Sequence, residues 1–228
     1  MLNDLSKAAK RIGHENWGYT GPNNAGSYNS FPYQTGFFSE NVNDNYNSEY
    51  GQFFIKWYTG KLIQHGDLIL SKANSIFKTK LAAKIAGIHW WYYTWSHAAE
   101  ITAGYYNTIH YNGYIDIANM FKRYNIEFAF TCLEMKDNEQ PSNCACGPEE
   151  LVALTRGTAF NLGVKYSGEN ALPITGNYQA NQQIAKQSMN DGKPISGFTY
   201  LRLSDELLSG EQNFASYANL VQLLHQLP

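Results

Sequence analysis

The stretch LGVKYSGENAL, residues 162–172, begins as a short apolar and aromatic run and stops abruptly at Gly168, Glu169 and Asn170. This pattern predicts a buried strand with a carboxylate at its carboxyl end. A polar or charged residue also ends three further apolar runs: KLAAKIAGIHWWY (80–92), IEFAFTCLEM (126–135) and SGFTYLRLSD (196–205). The four runs start about 35 to 45 residues apart, so one structural unit recurs along the chain.

Segments with helical patterns separate these runs. They are SHAAEITAGYY with GYIDIANMFKRYN, then GPEELVALTRGTAF, then NYQANQQIAKQSMN, and finally DELLSGEQNFASYANLVQLLHQL. Alternating strands and helices predict right-handed βαβ units and a parallel sheet, that is, an α/β fold. In such sheets the chemistry gathers at the carboxyl ends of the strands, where His89, Glu134, Glu169 and Arg202 stand.

The number of units limits the architecture. A closed (β/α)8 barrel needs about 250 residues, and four strands do not close one. The 228 residues therefore predict about four βα units of a TIM barrel, a half-barrel, together with a long polar loop. An open four-stranded parallel sheet is the alternative, but its apolar edge strands would favour aggregation unless something covers them.

The amino-terminal third has a different character. Residues 2–12 have a helix-forming composition that ends at HENWG. The segment from Thr20 to Glu49 is rich in Gly, Asn, Ser and Tyr, and its length and aromatic residues favour a functional lid over a disordered segment. Residues 49–77 then carry apolar side chains close to a 3.6 period, which predicts one long amphipathic helix.

Composition excludes several functions. Only 16% of residues are charged and the formal net charge is −2, so no basic stripe exists for nucleic acid or an anionic membrane. No stretch approaches the ~18 apolar residues that span a bilayer, and the start lacks the apolar core of a signal peptide. The 17 Tyr and 5 Trp residues suit sugar binding, although such residues also fill ordinary cores.

The three cysteines are Cys132, Cys144 and Cys146. They form neither a disulfide framework nor a four-ligand zinc pattern, which favours a reducing, cytoplasmic compartment. We expect Cys132 to be a buried thiol within a strand.

Carboxylates at strand ends are the candidates for acid–base chemistry. Glu169 is either a surface residue or one half of a catalytic pair. Glu134 and Asp137 follow the preceding strand and could supply the partner, with Glu134 close enough to act together with Glu169. Alternatively, their loop could direct both Glu134 and Asp137 towards water. Asp205 and Glu206 fit better in the first turn of a helix that begins at Ser204.

Histidine and cofactor motifs give weaker signals. His89, in GIHWWYY, is more typical of a packed side chain than of a metal ligand. His97 and Glu100 have the i, i+3 spacing of metal ligands without an obvious third ligand, so we expect no metal. GxGxxG, P-loop and GxSxG motifs are absent from the sequence, so we expect no nucleotide cofactor and no acyl transfer.

Several long motifs resemble one family. KIAGIHWWYYTWSHAAEITAGYYN, FAFTCLEMKDNEQPS, SGENALP and FTYLRLSDELL occur in the order and at the spacings of the carboxyl-terminal half of the β-amylases, glycoside hydrolase family 14. GPNNAGSYNSFPYQTGFF and FFIKWYTGKLIQHGD are similar to the same family, so the resemblance covers nearly the whole chain. It implies a (β/α)8 barrel that releases maltose from the non-reducing ends of α-1,4-glucans such as starch and glycogen, with inversion.

The resemblance also implies roles for individual residues. Glu169 matches the general base that activates water, whereas Glu134 matches an inner-loop residue rather than a catalytic partner. Six residues match substrate-binding positions: Lys84 and His89 on the aglycone side, Thr131 of the mobile inner loop FTCLEMK, Asn170 and Ala171 beside the sugar at the cleavage point, and Arg202 after the last strand.

One part of the family pattern is missing. The general acid of the family lies in a Gly-Glu-Leu-Arg-Tyr-Pro stretch, and nothing in residues 1–228 matches it. Inverting hydrolysis needs an acid and a base about 6.5 to 9.5 Å apart, so one carboxylate does not suffice. We therefore expect residues 1–228 to form a partial glycoside hydrolase catalytic domain that is inactive alone.

Two other hypotheses remain open from the sequence. The half-barrel could be a non-catalytic glucan-binding or regulatory protein that uses Trp90, Trp91, Tyr92 and the Tyr-rich loop. Alternatively, two copies could associate through their open sheet edges and close an eight-stranded barrel with two copies of Glu169.

Overall fold

The fold alternates helices with short strands, as the sequence predicts. A computed structural model describes residues 1–27, 30–190 and 192–227. In chain order the elements are α1 (Leu2–Arg11), α2 (Glu49–Ile76), β1 (Ala82–Lys84), α3 (Ala98–Ala103), α4 (Tyr114–Arg123), β2 (Glu127–Phe130), α5 (Pro148–Asn161), β3 (Tyr166–Glu169), α6 (Tyr178–Ser188), β4 (Met189–Asn190), β5 (Lys193–Pro194), β6 (Gly197–Thr199), α7 (Asp205–Ser209) and α8 (Glu211–His225).

Four of the strands form one parallel sheet in the order β1-β2-β3-β6. Each neighbouring pair is joined by at least one helix, so all three connections are crossovers of the βαβ type. The predicted α/β architecture with four βα units of a TIM barrel is confirmed. Within the described residues, β1 and β6 each have one edge without a strand partner.

The main core lies between this sheet and its helices. Phe128 and Phe130 of β2 and Tyr166 of β3 are fully buried against the apolar faces of α4 and α5. The Tyr166 hydroxyl is satisfied by the Thr155 hydroxyl at 2.9 Å. Glu127 and Ala129 of β2 and Ser167 of β3 point to the opposite face of the sheet and are half-buried.

Serine side chains cap the first turns of α2 and α7. Ser48 begins α2 by accepting a hydrogen bond from the Gly51 amide at 3.1 Å. Ser204 begins α7 by accepting one from the Leu207 amide at 3.2 Å, with Asp205 in the first turn, as predicted.

Three features of the fold differ from the sequence predictions. The strands are three or four residues long, much shorter than the apolar runs. The predicted carboxyl-terminal helix is two helices, α7 and α8, because the chain turns at Gly210. The hairpin of β4 and β5 lies where a helix was expected to end.

Part of the segment between α1 and α2 is packed into a core. Phe37, Phe38 and Tyr46 are buried in a second small core together with Ile55 of α2 and Ile101 of α3. Aromatic side chains in a core hold the backbone in place, so the prediction that they would close over a substrate is wrong for this part of the segment. Tyr28 and Asn29 of the Tyr-rich loop lie outside the described residues.

None of the helices in the part of the chain that the structure describes is both long and apolar enough to cross a bilayer.

Candidate active site

The carboxyl ends of the parallel strands bring the predicted site residues to one rim of the sheet. Lys84 ends β1 and Glu169 ends β3, and β2 lies between them. The register pairs Lys84 with Ala129 of β2, and Phe130 of β2 with Gly168. Two interstrand spacings, roughly 9 to 10 Å, therefore separate the backbones of Lys84 and Glu169.

The side chains of Lys84 and Glu169 bridge this gap. The Lys84 ammonium forms an ion pair with Oε1 of Glu169 above the end of β2. The Glu169 side chain is only 10% exposed, whereas that of Lys84 is 51% exposed. A carboxylate with so little access to water needs a partner charge, and Lys84 supplies it.

The inner loop after β2 lies directly against the Glu169 backbone. The Leu133 amide donates a hydrogen bond to the Glu169 carbonyl at 3.2 Å. The Leu133 side chain is fully buried over Gly168, where a Cβ atom would overlap it. Glycine at position 168 thus allows the inner loop to approach the strand that presents Glu169.

Glu134 has a positioning role that the sequence did not reveal. Its carboxylate accepts hydrogen bonds from the Ala171 amide at 2.9 and 3.0 Å and from the Leu172 amide at 2.6 Å. Burial raises the pKa of Glu134, and the backbone hydrogen bonds and the charge of Arg202 oppose that shift. The expectation that Glu134 might face water is wrong: it clamps the turn that follows Glu169.

Asn170 connects the ends of β3 and β6. Its Oδ1 accepts a hydrogen bond from the Leu201 amide at 2.8 Å, and its Nδ2 donates to the Leu172 carbonyl at 2.8 Å. The side chain is fully buried. The bond to Leu201 places exposed Arg202, whose backbone is left-handed with φ of 65°, beside this turn. Ala171, half-buried, lies between Asn170 and Leu172.

Thr131 lies on the same rim. It follows β2, is 9% exposed and packs close to Gly87, where a Cβ atom would lie 2.7 Å from the Thr131 methyl. Cys132 is buried as predicted, but it lies beyond the strand with φ of 70°, not within it. Burial raises the pKa of the Cys132 thiol to about 12.

His89 is half-buried and packs edge-on against Trp90, with ring centroids 5.7 Å apart. Its buried Nδ1 has no hydrogen-bond partner among the residues that the structure describes. Burial lowers the pKa of His89, and the charge of Asp137 opposes this shift. Asp137 itself accepts hydrogen bonds from the Tyr93 hydroxyl at 2.6 Å and the Glu149 amide at 2.7 Å, so it does not simply face water.

The aromatic segment from His89 to Tyr93 is held by the loop before α5. Trp91 and Tyr93 donate backbone hydrogen bonds to the carbonyls of Cys144 and Ala145, both at 2.9 Å. These bonds fix the segment that follows β1 outside the sheet. Cys144 and Cys146 form a disulfide in this loop, so the expectation that they would not pair is wrong.

His97 and Glu100 lie together but bond to each other, with His97 Nδ1 2.7 Å from Glu100 Oε2. Glu100 is fully buried and also accepts hydrogen bonds from Asn107 and from the Tyr114 hydroxyl. This network joins α3 to α4. A group of three or more His, Cys, Asp or Glu residues suited to a metal is absent from the described residues.

A parallel sheet of βα units with polar side chains at its carboxyl rim is typical of the (β/α)8-barrel class, of which this chain carries four units. The model of glycosyl hydrolase family 14 matches residues 2–227. The chain belongs to that family.

The named relatives are β-amylases. The chain is 45% identical to "Beta-amylase 1, chloroplastic" of Arabidopsis thaliana over 97% of its own length and 40% of that protein. It is 44% identical to "Beta-amylase" of Glycine max, again over 97% of this chain and 46% of the relative. The chain therefore spans a little under half the length of these relatives.

A solved structure agrees with the fold. The catalytic domain of β-amylase from Paenibacillus polymyxa superposes with a TM-score of 0.73 and 25% sequence identity, over all of this chain and 54% of that one. The rim that carries Lys84 and Glu169 thus belongs to a β-amylase type of half-barrel.

Proposed function

We propose that residues 1–228 are the carboxyl-terminal half of a β-amylase catalytic barrel. The complete barrel hydrolyses α-1,4-glucosidic linkages of starch or glycogen, releases maltose from non-reducing ends and inverts the anomeric configuration. The observation that carries this proposal is the position of Glu169: it is a nearly buried carboxylate at the rim and is paired with Lys84.

Glu169 acts as the general base. Its carboxylate accepts a proton from a water molecule as the water oxygen attacks the anomeric carbon, while an acid on the opposite side protonates the departing glycosidic oxygen. The ammonium of Lys84 interacts favourably with the carboxylate charge and fixes its direction. The Leu133 amide and Gly168 hold the backbone of Glu169 against the inner loop.

The remaining predicted residues border the sugar or hold the turn that does. Arg202 is exposed and half-buried Ala171 borders the same turn, so both can reach a ring next to Glu169. Asn170 acts mainly by holding this turn through Leu172 and Leu201, since its side chain is fully buried. Lys84 and His89 contact the aglycone side, and Thr131 contributes from the inner loop that follows β2.

The chain does not contain the general acid. Glu134, the nearest candidate in sequence, commits both carboxylate oxygens to backbone amides and so cannot protonate a leaving group without losing them. The chain alone is therefore inactive, and the acid comes from the complementary half of the barrel.

The large exposed area of the chain supports a half-barrel that is covered by a partner. A folded protein of 25.8 kDa exposes about 10,500 Å², whereas this chain exposes 12,682 Å². The chain therefore exposes roughly 2,200 Å² more than a compact monomer of its mass, which favours a partner that covers part of its surface. Exposed apolar residues also lie on the helices that flank the two sheet edges, among them Leu62, Leu68 and Ile69 of α2 and Phe214 and Val221 of α8.

The helices favour a complementary partner over a second copy. Within the described residues, α2, α4, α5, α6 and α8 pack successively around four strands. A closed barrel has one outer helix per strand, so the missing part supplies four strands and three helices. Two copies of this chain would bring ten helices to eight positions, and α2 of one copy would compete with α8 of the other.

Reconstitution tests the proposal. The 228-residue chain is incubated with maltoheptaose alone and then with the amino-terminal part of the Glycine max relative. We expect maltose release only from the mixture, and no release when the chain carries Glu169→Gln. Maltose release by the chain alone that Glu169→Gln abolishes would show that the inactivity claim is wrong, while an inactive but stably assembled mixture would argue against the proposed function.

A further inference from the structure

A second cavity lies apart from the residues grouped around Glu169. It has a volume of about 600 Å³ and lies between residues 92–97, after β1, and residues 107–112, between α3 and α4. Its lining includes none of the seven residues predicted to form the active site. Its size falls within the range of about 300 to 1,000 Å³ that is typical of small-molecule sites.

Aromatic rings form the walls of this cavity. Tyr93, Trp95 and Tyr111 line it and are 56%, 57% and 38% exposed. Each ring is fixed by a neighbour. The Tyr93 hydroxyl donates to Asp137 at 2.6 Å, and the Tyr111 hydroxyl donates to Asp116 at 2.9 Å. Trp95 packs edge-on against the ring of His110. Fixed aromatic faces exposed to solvent cost little ordering entropy when a ligand stacks on them.

Buried polar side chains form the floor. His97, Asn107 and Thr108 are each less than 10% exposed and line the cavity. Fully buried Glu100 holds two of them, because it lies 2.7 Å from His97 Nδ1 and accepts a hydrogen bond from Asn107 Nδ2 at 3.2 Å. The polar groups at the floor are therefore positioned before any ligand arrives.

The backbone joins the two sides of the cavity. The Ile109 amide donates to the Trp95 carbonyl at 3.1 Å, and Thr108 and Tyr111 form a β-bridge through amides 2.9 and 3.3 Å from their acceptors. The first bond joins the two segments that line the cavity, and the bridge fixes the turn on one side of it.

The chemistry of the lining selects the class of ligand. Asp, Glu, Lys and Arg are absent from the residues that line the cavity, which provide aromatic faces, hydroxyls, amides and imidazoles. An anion or a metal ion would find no opposite charge there. A neutral molecule with apolar ring faces and many hydroxyl groups would stack on the aromatic side chains and form hydrogen bonds with the hydroxyl, amide and imidazole groups.

We propose that this cavity is an accessory site for a neutral oligosaccharide, with Trp95 as the stacking platform and Asn107 and Thr108 as hydrogen-bonding groups. The choice of an α-1,4-glucan as the sugar rests on the proposed function. A long glucan that occupies this cavity raises the effective concentration of its other segments near the rim, so the accessory site anchors the polymer.

Calorimetric titration of the 228-residue chain with maltoheptaose tests the accessory site. We expect Trp95→Ala to weaken binding at least 10-fold and Trp95→Phe to retain most of it, because phenylalanine keeps an aromatic face. Tyr178→Ala is the matched control, since Tyr178 is an exposed aromatic residue at the start of α6, outside the cavity. Circular dichroism verifies that each variant is folded.

Lys84→Ala separates this inference from the proposed function. Binding that survives Lys84→Ala and is lost with Trp95→Ala supports the accessory site. Binding that is lost with Lys84→Ala and unchanged in Trp95→Ala overturns it and leaves the role of the Glu169 rim intact. An absence of any maltoheptaose binding to the wild-type chain, or equal weakening by Trp95→Ala and Tyr178→Ala, also overturns it.

Discussion

The ammonium of Lys84 reaches across β2 to the carboxylate of Glu169, although their strands are not neighbours in the sheet. A long, unbranched side chain is needed for this reach, since two interstrand spacings separate the backbones. The pair therefore fixes the direction of Glu169 from a position far away in sequence.

This pair predicts unequal costs for the two partners. Lys84→Met leaves a nearly buried carboxylate without a counter-charge, and we expect it to lower the free energy of unfolding by about 1–3 kcal/mol. Glu169→Gln leaves a half-exposed ammonium that water can solvate, so we expect the free energy of unfolding to fall by less than about 1 kcal/mol.

Urea denaturation of both variants measures this difference. Lys56→Met, on an exposed part of α2, is the control for loss of a lysine. Equal effects of Lys84→Met and Lys56→Met would contradict the structural importance of the pair.

The contact of Gly168 with Leu133 predicts that a single methyl group disturbs the site. A Cβ atom at position 168 would overlap Leu133, so we expect Gly168→Ala to destabilise the chain by about 1–3 kcal/mol through overpacking. A Cβ atom at Gly157 of α5 would have no neighbouring atom within 4 Å, so Gly157→Ala should stabilise the helix by about 0.5–1 kcal/mol. Thermal unfolding of both variants checks this, and we expect the midpoint to fall for Gly168→Ala and to rise for Gly157→Ala. An unchanged midpoint for Gly168→Ala would contradict the close packing.

Burial of His89 predicts a pH-dependent stability. Because the pKa of His89 is lowered in the folded chain, the unfolded chain binds more protons as the pH falls below about 6.5. Stability from this residue is therefore present above that pH and is lost as the pH falls, at a rate of up to about 1.4 kcal/mol per pH unit.

Measuring the free energy of unfolding at about six pH values between 5 and 8 separates the contribution of His89 from that of other groups. His89→Gln should show a weaker decline on acidification than the wild-type chain, whereas His65→Gln, at an exposed position of α2, should follow the wild type. Parallel profiles for the wild-type chain and His89→Gln would contradict a buried neutral imidazole.

The cysteines predict a simple thiol count. Cys144 and Cys146 are paired and Cys132 is buried with its pKa raised to about 12, so an oxidised folded chain should react with a thiol reagent very slowly. Unfolding without reductant should expose one thiol, and reduction should bring the count to three, the number of cysteines in the sequence. Three thiols without reductant would show that the disulfide is absent.

The order of strands and helices could be predicted from the sequence because each buried run ends at a polar residue. The Glu49–Ile76 helix and the Ser204 cap also depend on local patterns, a 3.6 period and an N-cap hydroxyl. The positions of Lys84 and Glu169 at one rim follow directly from the parallel order.

Features that depend on distant partners could not be predicted. The segment after β1 is fixed by backbone bonds of Trp91 and Tyr93 to the Cys144 loop, more than fifty residues later. The role of Glu134 depends on amides at positions 171 and 172. The burial of Phe37, Phe38 and Tyr46 could not be predicted, because an aromatic residue in a polar segment can either cover a ligand or fill a core.

Chemical rescue tests the role of Glu169 most directly. In a barrel reconstituted with the amino-terminal part of the Glycine max relative, Glu169→Ala should abolish maltose release. Azide, a small anion that needs no base to attack, should then restore cleavage of maltoheptaose and give β-maltosyl azide, because it enters from the face that water uses. Full maltose release by the unrescued Glu169→Ala barrel would contradict the assignment of Glu169 as the general base.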